Sequence, residues 1–160
     1  MSPTEIPTQK PRAHRRPVPA EPLVEGGYDY ADAFEVEVAE SDSRVAEQFM
    51  RDALERSAPA LRSLVLLVHR HVLRFRLGPL AAPDHVLGWR ILTSEPDVVQ
   101  LEAQGPIGRG VLVLRRVTPA RGVLSTFVFF RHPVAPVIWT IVGPAHRRVA
   151  PYLMERTVSR

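Results

Sequence analysis

The chain predicts an α+β fold: a twisted antiparallel sheet curled over a long C-terminal helix, with a two-helix insertion after the first strand. Three observations predict it. Four strand-like runs, Val86 to Thr93, Asp97 to Gln104, Gly108 to Val117 and Val123 to Phe130, are joined by turns too short for crossover helices. Apolar stripes of helical period occupy the stretch between Ser43 and Gly78. From Pro136 onward, Ile138, Trp139, Ile141, Val142, Ala145, His146, Val149, Tyr152 and Leu153 fall in one sector of a helical wheel at ~100° per residue. Helices segregated onto one antiparallel sheet define an α+β fold. A twisted sheet has a concave face, which the last helix can close.

Residues 1–30 read as a tail. Pro3, Pro7, Pro11, Pro17, Pro19 and Pro22 break any helix or central strand, and large apolar residues are few. A disordered extension is expected, whose PRAHRRPVP run could meet an anionic surface or a proline-reading domain. Residues 31–160 read as a single domain. Phe34, Val36 and Val38 alternate with Glu35 and Glu37, the period of a half-buried strand. A helix is expected from about Ser43 to Arg56, with Val45, Phe49 and Ala53 at spacing four and Ser41, Asp42 or Ser43 as N-cap. Pro59 opens a second helix, where its missing N–H costs nothing. Leu61, Leu64, Val65, Val68, Val72 and Phe75 form its stripe, Gly78-Pro79 ends it, and Ala81 to His85 is read as loop.

The final helix contains Pro144 and Pro151, each costing about 3 kcal/mol where it removes a backbone bond. Both lie on the polar side of the wheel, with Arg147, Arg148, Thr140 and Glu155, where a bend toward the sheet is tolerated. The rival reading starts the helix at Pro144 and makes Trp139 to Val142 another strand. The wheel favours one long helix.

Composition bounds the function classes. A chain of 160 residues can bury a full core. With no cysteine there is no thiolate chemistry and no disulfide framework. Lys10 is the only lysine, as expected of a GC-rich bacterial source. No stretch approaches the ~20 apolar residues of a membrane span, and the N-terminus lacks a signal-peptide core, so a cytoplasmic protein is expected. From Arg56 to the end, 15 arginines face five acids, but they are spread over every element and no helix presents a basic stripe, which argues against nucleic acid. No metal-ligand spacing appears; His69 and His71 lie about 200° apart on a helix and cannot chelate one ion. Gly105, Gly108 and Gly110 join two strands rather than opening a helix, so no phosphate cradle is expected. No nucleophile elbow is present. No cofactor is implied.

The motifs resemble the helix-grip or START-like superfamily, which includes polyketide cyclases and small lipid-binding proteins. More narrowly the chain resembles a bacterial family known as domain of unknown function 2867. The resemblance spans about Asp32 to Val158. It rests on Asp32-Ala33-Phe34 opening the first strand, Pro59 with Leu64, Leu77-Gly78, Gly88-Trp89-Arg90-Ile91, and the closing Trp139-x-x-x-x-Pro144-x-His146-Arg147. Where that family has an aromatic pair before the last helix, this chain has Ile138-Trp139. The resemblance implies a cavity between sheet and helix, and no particular reaction.

Such a cavity takes a small apolar or amphipathic molecule. From the helix Trp139, Val142, His146, Val149 and Leu153 would face it; from the sheet the candidates are Trp89, Ile91, Leu112, Leu114, Phe127 and Phe129. Arg90 or Arg115, if turned inward, could fork onto a carboxylate. His146 is the one imidazole on the helix's apolar face, and so the candidate general base or hydrogen-bond donor. Three functions remain open: a binding protein, a cyclase-like enzyme using His146, and an interaction module or homodimer. The last would pair through the doubly apolar runs at 111–114 and 126–130.

Overall fold

The computed structural model describes residues 12–158. The chain order is β1 (His14–Arg16), β2 (Tyr30–Glu37), α1 (Ala46–Glu55), α2 (Pro59–Leu67) and a π-helical turn (Val68–Val72). Then come β3 (Ala81–Ala82), β4 (His85–Val86), β5 (Trp89–Glu95), β6 (Val98–Gln104), β7 (Gly108–Thr118), β8 (Arg121–Phe130) and α3 (Ala135–Val158). The strands form one antiparallel sheet in the order β1-β2-β8-β7-β6-β5-β4-β3. The two-helix insertion carries the chain from β2 to β3 at the far edge, and the meander then returns to β2. This is a helix-grip-like α+β fold.

Register fixes which side chains face the helices. Asp32 pairs with Thr126, Thr126 with Leu112, Leu112 with Leu101 and Leu101 with Ile91. Side chains opposite one another share a face, so this row lies on the concave side. The neighbouring row, Ala31, Phe127 and Val111, lies on the outer side. Phe127 and Phe129 therefore do not face the helices. Phe127 packs with Val98, Val111 and Val113 in a second, outer core.

That outer core is covered. Residues 12–29 are expected as disordered tail, yet β1 pairs with β2 and the following segment crosses the outer sheet face. Val18, Leu23 and Val24 pack on the outer apolar cluster, and the Tyr28 ring lies 5.3 Å from that of Phe127. Gln100 donates to the Leu23 carbonyl at 3.2 Å, and Arg115 forks onto Glu21 at 2.8 Å through both Nε and Nη2. Burial pushes the Glu21 carboxyl up, but Arg115 and the Leu23 amide outweigh it and hold it below its usual value. Proline forbids a helix or a central strand; it does not forbid an extended strap on an edge, where the runs at 111–114 and 126–130 supply the apolar surface. The remainder of the tail, residues 1–11, lies outside the described residues. The bare outer face that pairing between copies would need is thus occupied by the chain itself.

Three local departures have simple causes. The N-cap of α1 is Val45, without a side-chain bond. Asp42 instead accepts from the Arg44 amide and guanidinium, and the Ala46 N–H donates to the Pro96 carbonyl at 3.0 Å. The segment read as loop forms a small hairpin, β3–β4, and β4 turns into β5 through Leu87 and Gly88 at φ 47° and 84°. Positive φ at both central residues is the turn that matches strand twist. A side chain at Gly88 would also come within 2.8 Å of Leu77 Cβ. The second helix ends at Leu67 and widens into the π turn rather than running to Gly78.

The C-terminal element is one helix of 24 residues that includes Trp139 to Val142, so no extra strand forms. Its buried face is narrower than the wheel suggests. Ala135, Gly143, Ala150, Leu153, Met154 and Thr157 are buried, while Ile141 is 73% exposed and Ala145 and Tyr152 are also exposed. The face is rotated toward Gly143 and Met154, small or flexible residues that allow close approach to the sheet.

Candidate functional site

Between α3, the two-helix insertion and the concave sheet face lies a cavity of about 260 Å³. The sheet contributes Trp89, Gly110, Leu112, Leu124, Thr126 and Val128. From α3 come Trp139, Val142, Ala145, His146, Val149, Ala150, Leu153 and Met154, and from α1 come Met50, Ala53 and Leu54. The roof is α2 with the π turn: Leu61, Leu64, Val65, Val68 and His69. Exposed Leu64 and Ala145 belong to the lining, so the cavity reaches the surface between α2 and α3. No residue of α2 is buried, and its one substantial contact with another element is the π turn after it. Its apolar stripe thus has the cavity in front of it instead of a core.

Of the residues singled out from sequence, Trp89, Trp139, Val142, His146, Val149, Leu153 and Leu112 stand in this lining. Ile91 and Leu114 are on the concave face but belong to the filled core. Arg90 does not reach the cavity: it alternates with inward Trp89 and Ile91 and is exposed. Arg115 is taken by Glu21 on the outer face. Neither arginine can hold a ligand inside.

A cluster of polar groups adjoins His146 and Thr126 of the lining. His146 Nε2 lies 3.0 Å from Asp32 Oδ2, without the alignment of a full hydrogen bond, and the Tyr30 hydroxyl donates to the same oxygen at 2.6 Å. Arg147 donates to the Tyr30 oxygen at 3.3 Å and lies over its ring. Trp139 packs between Tyr30 and His146, at ring distances of 4.9 Å and 5.5 Å. The Asp32 side chain is wholly inaccessible. Burial pushes its carboxyl up, but the His146 imidazole, the Tyr30 hydroxyl and the Arg15 charge together outweigh burial and hold it below its usual value. The Tyr30 hydroxyl is raised, first by burial and then by Asp32. Asp32 Oδ1 and Thr126 Oγ1 are buried with no partner among the described residues. A buried polar atom left unpaired costs about 1–3 kcal/mol, so a water or ligand atom is expected there.

His69, on the π turn, is the second imidazole of the lining. Trp89 donates from Nε1 to His69 Nδ1 at 3.2 Å, and the Phe75 and Trp89 rings pack on the imidazole at 5.9 Å and 5.4 Å. Burial, aided by the charge of His146, pushes the His69 pKa down to about 4. Gly110 makes room for these rings, since a Cβ there would lie 2.9 Å from Trp89 and 3.2 Å from Phe75.

Sequence reasoning missed Asp32, Tyr30 and His69. Asp32 carried a signal, an acid at an inward position of a strand that otherwise buries apolar residues. His69 carried a weaker one, because a π turn shifts the helical phase and no wheel anticipates it. Among the described residues no group of acids and histidines could hold a metal ion, and no helix is long and apolar enough to cross a membrane. No family model, curated protein or solved structure matches the chain.

Proposed function

We propose that the protein binds a small, largely apolar molecule with one polar end, held between the sheet and α3. The carrying observation is the 260 Å³ cavity, apolar over most of its wall with His69, Thr126 and His146 as its polar members. An apolar cavity of roughly 150 Å³ accepts benzene, so by proportion this one suits on the order of ten heavy atoms. Met50, Leu54, Leu153 and Met154 would take the apolar part, and Thr126, His146 and His69 the polar end. Membership of the START-like superfamily, and within it of the domain of unknown function 2867 family, is part of the same reading. The helix-grip-like fold supports it, as does the presence of Trp89, Trp139 and His146 at the cavity. Native mass spectrometry of protein purified from its own host tests the reading. The expected result is a retained small molecule that is absent from Val142→Trp, whose indole fills the cavity. A bare chain mass for the wild type counts against it.

A second reading rests on the approach of His146 to Asp32. A carboxylate beside Nε2 favours the proton on that nitrogen and leaves Nδ1 as the base, which suits a cyclase-like enzyme that moves a proton on the bound molecule. The test is deuterium exchange at the α-carbon of a bound ketone in D₂O. Exchange that is lost in His146→Gln supports catalysis; a rate equal to that without protein removes it.

A further inference from the structure

We infer that the ligand's polar end is a carbonyl-type oxygen, a hydrogen-bond acceptor, and that His69 Nε2–H is the donor that receives it. The inference rests on the cavity reading above and deepens it. An indole N–H can only donate, so the 3.2 Å contact from Trp89 requires an unprotonated Nδ1 on His69. The ring proton is therefore on Nε2. That nitrogen has no hydrogen-bond partner among the described residues, in a side chain that forms part of the cavity wall. The depressed pKa, about 4, keeps the ring neutral near pH 7, so it offers one fixed donor rather than a charge. A neutral donor in an apolar wall discriminates against carboxylates, which would want a cation, and favours ketones, aldehydes or esters.

The lining holds a second polar group of the right kind. Thr126 is 4% exposed, lines the same cavity and carries an unpartnered hydroxyl. A carbonyl oxygen accepts from either group, whereas an amine or a quaternary ammonium would meet the His69 donor with another donor or a bare cation.

Acetophenone and cumene (isopropylbenzene) have nearly the same shape and size and differ in the carbonyl, so they separate this inference from the cavity reading. Calorimetry gives the ratio of the acetophenone Kd to the cumene Kd, which removes the general preference of an apolar site for hydrocarbon. Relative to wild type the ratio is expected to rise about 3- to 10-fold in His69→Phe, the range for one lost hydrogen bond. A smaller rise is expected in Trp89→Phe, where the tautomer is released but the imidazole stays. Infrared spectra of carbonyl-labelled acetophenone need only the wild-type protein. The bound C=O stretch should lie below its frequency in hexane and return toward it in His69→Phe. Cumene binding with an unchanged ratio, or a wild-type stretch at the hexane value, overturns the carbonyl donor and leaves the cavity reading standing. Binding of neither molecule overturns both.

Discussion

Replacing His146 by alanine tests the electrostatics of the polar end. Asp32 has no accessible side-chain surface and, among the described residues, two close partners, His146 at 3.0 Å and Tyr30 at 2.6 Å. Removing one member of a buried pair costs ~3–5 kcal/mol when the other stays charged. Tyr30 remains, and water can enter the space the ring vacates, so about 2–3 kcal/mol is expected at pH 7. Little of this should come from packing, because the imidazole borders the cavity rather than the filled core. The pH dependence identifies the cause. In the wild type the Asp32 pKa is lowered, so its contribution is present above the unfolded value of ~3.9 and is lost as pH falls through the folded value. Without His146 the burial that pushes the carboxyl up is no longer outweighed. The folded pKa then rises above the unfolded one, and acid relieves the variant between neutrality and ~3.9. Urea unfolding followed by tryptophan fluorescence should show the gap between variant and wild type narrowing from pH 7 toward pH 4.5. The Asp32→Asn/His146→Ala double variant should lose less than the sum of the single losses, by about 1–2 kcal/mol. A pH-independent gap with additive losses would refute the stabilisation of the Asp32 carboxylate by His146.

Further outcomes follow from other parts of the structure. His69, with its pKa pushed down to about 4 against ~6.5 unfolded, refuses a proton the unfolded chain accepts. Wild-type stability should therefore fall by about 3 kcal/mol as pH drops from ~6.5 to 4, and His69→Phe should flatten that slope in the same urea titrations. Removal of residues 1–28 should uncover Val98, Val111, Val113 and Phe127, lower the unfolding midpoint and promote self-association, read by sedimentation. Glu21→Ala alone should loosen the strap, detected as faster amide exchange around Leu23, because Arg115 loses both its bonds. Hydrogen exchange should be faster in α2 than in α1 or α3, since no α2 residue is buried, and should slow when cumene is added.

The layered architecture was legible because it depends on periodicity. The alternation of β6, β7 and β8 and the stripe of α3 survive in any context, and their short turns leave only antiparallel pairing. The strap was illegible for the opposite reason. Its prolines speak against regular structure, while its stability comes from a surface built elsewhere in the chain, by Val98, Val111 and Phe127. Cavity residues on α3 could be named because one helix face generates them together. Asp32 and His69 could not be, since each takes its meaning from a partner at least 20 residues distant, His146 for one and Trp89 for the other. Inward and outward positions on the strands, Phe127 and Arg90 included, waited on a register that alternation alone leaves free by one residue.

The central claim is that an apolar molecule occupies the space beneath α3. Intermolecular NOEs from cumene to methyl-labelled protein test it most directly. The account requires contacts to Leu112, Leu124, Val149 and Leu153, which line the cavity from both walls. Contacts confined to exposed Ile141 and Val137, or none at millimolar cumene, would contradict it.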